Sequence, residues 1–149
     1  MTWPPQDVKL AQDVKLAQDA KLAQDAKMAA GTKRAVHVVM EFLACGGRRD
    51  FSGARALLDA DVTRIGPGGD IKAGRDSYVA YLESVLGDVR DYRYEVRSTA
   101  VSIDGLGVMI EVDEALTQAD GTELAVSEAM AFDVTADGRI RRISVYTKI

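Results

Sequence analysis

The sequence predicts an α+β fold: three helices packed on a curved antiparallel sheet, with a four-stranded C-terminal meander. Two observations carry that prediction. Apolar residues recur at helical spacing through the first half of the chain. The second half switches to β-rich runs separated by Asp104-Gly105, Asp120-Gly121 and Asp137-Gly138. Asp-Gly between such runs is a strong hairpin signal, and consecutive hairpins make a meander.

The chain opens with a hexapeptide repeat, QDVKLA, QDVKLA, QDAKLA, QDAKMA, from Gln6 to Ala29. Its residues favour helix, and Pro4-Pro5 suits a helix start. A step of six residues turns a helix by about 240°, so Leu10, Leu16 and Leu22 point in three directions and form no heptad seam. Residues 1–31 are therefore expected to be a repeat-built helical extension. Gly31 would end it, Thr32 would cap the next helix, and residues 32–149 would form the folded domain.

In TKRAVHVVMEFLACGG, residues Val36, Val39, Met40 and Leu43 share one helical face and Gly46-Gly47 is the stop. DFSGARALL reads as a shorter helix, DVTRIG as a short strand and GPGGDIKAG as a loop. RDSYVAYLESVLGDV is the third helix, with Tyr78, Val79, Leu82, Val85 and Leu86 near one side. Four strands follow, at about 91–103, 106–118, 123–135 and 139–148. Strands this long usually bend, so the sheet should curve.

Two-residue Asp-Gly turns fix the cross-strand partners. They set Asp113 opposite Glu128, Glu111 opposite Met130, Met109 opposite Phe132, Ser98 opposite Glu111 and Val96 opposite Asp113. In the last hairpin they pair Phe132 with Ile143, Met130 with Val145 and Glu128 with Thr147. Alternation then puts Tyr94, Met109, Met130, Phe132 and Val145 on the helix-covered face, with a carboxylate cluster of Glu111, Asp113 and Glu128 among them. Glu114 falls on the other face, beside an apolar stripe of Val108, Ile110, Val112, Ala129 and Ala131 that suggests a sheet-to-sheet homodimer. Carboxylates crowded in an apolar hollow keep a proton near neutral pH and make a general acid–base pair. The alternative is that these acids sit in water at an open rim, or pair with Arg64 or Arg141.

Net charge is −4 and no long basic run appears, which argues against a nucleic-acid partner. Cys45 is the only cysteine, so a disulfide framework is excluded and a reducing, cytoplasmic setting is expected. No run approaches the ~20 apolar residues of a membrane span, and the start lacks an apolar signal core. His37, the only histidine, reads as a surface helical residue, and Cys45 as packing. The glycine-rich loop lacks the Lys-Ser or Lys-Thr of a phosphate loop. Three carboxylates without histidine in an apolar setting make a poor metal site, so no cofactor is expected.

The order of three segments, FSGARALLDADVTRIGPGG, AGRDSYVAYL and FDVTADGRIRRISVYT, resembles the SnoaL-like, nuclear-transport-factor-2-like superfamily over roughly Thr32 to Ile149. The resemblance implies a cone-shaped α+β domain with a deep pocket, commonly dimeric. It embraces limonene-epoxide-hydrolase-like enzymes, polyketide cyclases, ketosteroid isomerases and non-catalytic binders. The aspartate–arginine–aspartate triad of the epoxide-hydrolase-like branch is not reproduced: Asp113 matches one aspartate, but Glu111 stands at the arginine position and Val145 near the second aspartate. Arg64 falls where that branch carries a tyrosine. Gly66, before Pro67, stands where ketosteroid isomerases carry their base.

Together these readings predict a small-molecule acid–base enzyme of epoxide hydrolase, cyclase or isomerase type, acting on an apolar oxygenated substrate. Asp113, Glu128 and Glu111 would exchange protons, and Tyr94 and Ser98 would orient substrate oxygen. Arg64 would hold one acid ionised, and Met109, Met130, Phe132 and Val145 would line the hollow. The rival reading is a ligand-binding or assembly module of the same fold.

Overall fold

The computed structural model describes residues 5–148, with side chains from residue 8. Helix α1 spans Pro5–Arg48 and α2 Phe51–Ala56. Strand β1 (Leu58–Ile65) turns back as β2 (Ile71–Ala73), and α3 covers Arg75–Leu86. The meander is β3 (Asp91–Val101), β4 (Gly107–Thr117), β5 (Glu123–Val134) and β6 (Ile140–Thr147). One six-stranded sheet results, in the order β2-β1-β6-β5-β4-β3. It is mixed, because β1 runs parallel to β6 while the other neighbours are antiparallel. Among the described residues no helix is long and apolar enough to cross a membrane.

Helix α1 does not stop at Gly31-Thr32 as the sequence suggests; the two expected helices are one. An interior glycine costs a helix only about 1 kcal/mol, too little to break it between strongly helix-forming flanks. Side chains 8–30 are exposed, and the buried stripe begins at Ala35. It continues through Val38, Val39, Phe42, Leu43 and Cys45, with Val36 and Met40 only partly buried. This stripe packs on Leu58, Val62, Ile110, Phe132, Ile140 and Ile143 of the sheet.

The Asp-Gly turns are wider than two residues, and this changes the register. Around Asp120, Gln118 N donates to Thr122 O (2.8 Å) and Gly121 N to Gln118 O (2.9 Å). Ala119, Asp120 and Gly121 thus form a three-residue loop, with Gly121 at φ 89° supplying the left-handed bulge position. The loop shifts β5 by one residue against β4: Asp113 pairs with Ser127, Val112 with Glu128 and Glu114 with Val126. The same turn recurs at Thr135–Arg139, but an extra residue, Arg141, bulges from β6 and cancels the shift. Phe132–Ile143, Met130–Val145 and Glu128–Thr147 therefore pair as expected. The first hairpin pairs Ser98 with Glu111 as expected, but the ladder slips at Arg97, leaving Val96 opposite Val112 and Glu95 opposite Asp113.

Strand β4 is consequently turned over relative to the sequence reading. Val108, Ile110 and Val112 are buried, while Met109 is 48% exposed and Glu111 and Asp113 stand on the outer face. Three of the five residues expected to form an apolar stripe on that outer face are inside the protein.

Candidate active site

Between the helices and the inner sheet face lies a cavity of about 190 Å³. Phe42 and Leu43 of α1, Phe51 of α2, and Tyr78, Tyr81 and Leu82 of α3 form its roof. Its floor is the sheet: Arg64 from β1, Tyr92 from β3, Glu114 from β4, Glu128 and Met130 from β5, and Val145 from β6. The walls are mostly apolar, and the polar groups converge on two carboxyls.

Glu114 continues the inward alternation of Val108, Ile110 and Val112. The Tyr92 hydroxyl donates to Glu114 Oε2 at 2.8 Å. Glu128, one strand over and diagonal to Glu114, faces the same cavity. Burial pushes the Glu128 carboxyl up to about 8; the hydrogen bond and charge of Glu114 add to this, and Arg64 opposes it. The pair as a whole therefore holds a proton more firmly than a free carboxyl does. Burial likewise raises the Tyr92 phenol, with Glu114 adding to the effect, and burial raises the Tyr78 phenol.

Arg64 is buried, and its Nη1 lies 3.1 Å from Asp70 Oδ2. Its guanidinium stacks over Tyr81, 4.6 Å from the ring centroid. Gly66 makes this pairing possible, because a Cβ there would lie 2.1 Å from Asp70 Oδ1 and 2.7 Å from Arg64 Nη1.

The residues singled out in the sequence divide between two faces. Glu128, Arg64, Met130 and Val145 line the cavity. Phe132 is fully buried core, and Tyr94 is half-buried on the inner face of β3, packed beside Gly47 outside the lining. Ser98, Met109, Glu111 and Asp113 are on the opposite face. There Asp113 accepts from Arg97 Nε (2.7 Å) and Ser127 Oγ (2.8 Å), and Arg97 is the main cause holding its carboxyl below the usual range. Glu111 is bonded by Lys148 and by Ser98 (3.1 Å), and Lys148 is the main cause lowering its carboxyl. The aspartate position carried onto Asp113 thus stands outside the cavity, and its inward neighbour is Glu114. Cys45 is buried, with its thiol pushed up by that burial, and His37 is exposed.

The sequence reading missed Glu114 and gave no role to Tyr92 or Tyr81. The signal was present. Val108, Ile110 and Val112 are three β-branched residues on one parity of β4, and their burial outweighs an assumed turn length. Among the described residues no group of three or more His, Cys, Asp and Glu side chains is arranged to hold a metal ion.

A SnoaL-like domain family model matches residues 39–143. Similar solved structures include an M. tuberculosis LEH-like epoxide hydrolase, 22% identical, with TM-score 0.69 over 78% of this chain and 84% of that one. The epoxide hydrolase/cyclase-like enzyme SalBIII, of pyran ring formation in the polyether salinomycin, is 19% identical, with TM-score 0.70 over 78% and 92%. A computationally designed 17-OHP binder is 18% identical, with TM-score 0.71 over 78% and 94%. Comparison with curated proteins finds no match. At these identities the structural likeness speaks for the fold, and the family match, which spans most of the chain, joins it: the protein belongs to the SnoaL-like family.

Proposed function

We propose that the protein is a small-molecule proton-transfer enzyme in which Glu128 is the acid and Glu114 the base. The observation that supports it most is the side-by-side placement of Glu114 and Glu128 in one apolar cavity, where burial pushes the Glu128 carboxyl up. Tyr92 fixes the Glu114 carboxylate through its hydroxyl, and Arg64 presents positive charge to the same space.

Both carboxyls rise from neighbouring strands of one wall. Opening an epoxide by attack from the rear needs acid and base on opposite sides of the ring. Acid and base side by side favour isomerisation or cyclisation on one face of the substrate. In an isomerisation, Glu114 takes a proton from carbon beside a carbonyl as the double bond shifts. Glu128 returns a proton at the far carbon of the new system. The proton on Glu114 then passes to the neighbouring Glu128 carboxylate, and the site is reset. A cavity of about 190 Å³ is slightly larger than one of about 150 Å³ that holds benzene. It therefore suits a single substituted ring carrying one or two oxygens.

A panel of monocyclic unsaturated ketones and epoxides, assayed with wild type, Glu128→Gln and Glu114→Gln, tests the reading. Each variant should lose about 10²–10⁴ in rate. A loss under tenfold would remove these roles, and wild-type binding without turnover would leave a ligand-binding module. The lone free cysteine, Cys45, is the basis for placing the protein in the cytoplasm.

A further inference from the structure

We infer that the cavity is also a binding site for a small apolar amine, whose ammonium docks on the Glu114–Glu128 carboxyl pair while its hydrocarbon part fills the aromatic roof. The inference uses the same carboxyl pair as the proposed chemistry, but it does not require that chemistry.

The charge inventory carries it. Five charged or titratable groups face Glu128: Glu114 from β4, Arg64 from β1, Tyr92 from β3, and Tyr78 and Tyr81 from α3. Burial raises the Tyr92 and Tyr78 phenols, which keeps both neutral at physiological pH. Arg64 already has a counter-ion in Asp70 at 3.1 Å and a π-face in Tyr81 at 4.6 Å. What remains is the negative charge of the carboxyl pair, which has no counter-ion of its own among the cavity-lining residues. An anion would enter against that charge. A neutral alcohol would leave it uncompensated. An ammonium would neutralise it with charge-assisted hydrogen bonds in surroundings where water competes poorly. Phe42, Phe51 and Tyr78 offer the hydrocarbon half an apolar roof and the cationic half ring faces.

Calorimetric titration of the full chain with benzylamine, benzyl alcohol and benzoate at about pH 6.5 tests the inference. Benzylamine should bind at least about tenfold tighter than benzyl alcohol, and benzoate should bind weakest. Glu114→Gln should weaken benzylamine more than it weakens benzyl alcohol. Equal binding of amine and alcohol, or no amine binding, would each overturn the inference. Because the three ligands are compared on the unaltered protein, the result does not depend on how the variant folds. Amine binding with no turnover on the ketone and epoxide panel would remove only the enzyme reading. Turnover lost in Glu128→Gln with no amine binding would remove only this one.

Discussion

The carboxyl of Glu128 on β5 shares the cavity with that of Glu114 on β4, its diagonal neighbour across the ladder. Two like groups so placed cannot both ionise cheaply, and burial adds to the cost. Folding therefore raises the Glu128 carboxyl from its ordinary 4.5 to about 8. Between those values the folded chain binds a proton that the unfolded chain has released, so stability falls as pH rises through the window. This contribution is fully present below about pH 4.5 and gone above about pH 8. Glu128→Gln should flatten that slope. At about pH 9 the variant should be more stable than wild type by about 1–2 kcal/mol, after discounting for solvent at the cavity mouth. Urea unfolding across the pH range reads both effects.

Glu114→Gln should lower the Glu128 titration without returning it to the ordinary value. Burial is the largest cause of the shift and survives the substitution, while the charge of Glu114 does not. Carboxyl carbon chemical shifts followed by NMR should therefore show Glu128 titrating between 4.5 and about 8. A return to 4.5 would assign the whole shift to Glu114.

Asp113→Asn should change turnover by less than about twofold, because Asp113 is engaged with Arg97 and Ser127 on the outer face. Paired with Glu128→Gln in one assay, it separates the two sheet faces. A large loss in Asp113→Asn would put the chemistry on the side away from the cavity.

Gly66→Ala should destabilise the protein by about 1–3 kcal/mol, because the added methyl would occupy the place of Asp70 Oδ1 and Arg64 Nη1. Asp70→Ala removes the same pairing without the clash. Since Arg64 lowers the Glu128 carboxyl and Asp70 competes for its charge, freeing Arg64 should bring the Glu128 titration down, visible in the same NMR experiment.

Removing residues 1–26 should shift the melting temperature by no more than about 2 °C. The side chains from residue 8 to residue 26 are exposed, whereas Met28 and Thr32 approach Gly105 in the β3–β4 turn. Far-ultraviolet circular dichroism should lose helical signal in proportion. A drop of ten degrees or more would show that the exposed arm supports the domain.

The elements were legible in the sequence because each has a local cause: periodic apolar residues for the helices and Asp-Gly pairs for the hairpins. Glu128, Met130 and Val145 were placed on the cavity side because the Arg141 bulge cancels the width of the Asp137-Gly138 turn. Glu111, Asp113 and Glu114 were assigned to the wrong faces because no such bulge follows Asp120-Gly121. Whether an Asp-Gly pair closes a two-residue or a three-residue loop depends on neighbouring backbone geometry, which the dipeptide does not encode. The continuity of α1 through Gly31 was hidden for a related reason, since a glycine marks a helix end only when the flanks are weak.

The loop Ala119-Asp120-Gly121 acts as a one-residue selector for the strand before it. Deleting Ala119 would leave a bare Asp-Gly connection and invite β4 to rotate by half a turn. Val108, Ile110 and Val112 would be offered to water, and Met109, Glu111 and Asp113 would be driven beneath the helices. Anyone grafting this hairpin onto another scaffold, or shortening it to stiffen the protein, would be exchanging one cavity lining for another, so indel tolerance at this turn is a direct readout of which carboxylates the protein needs inside.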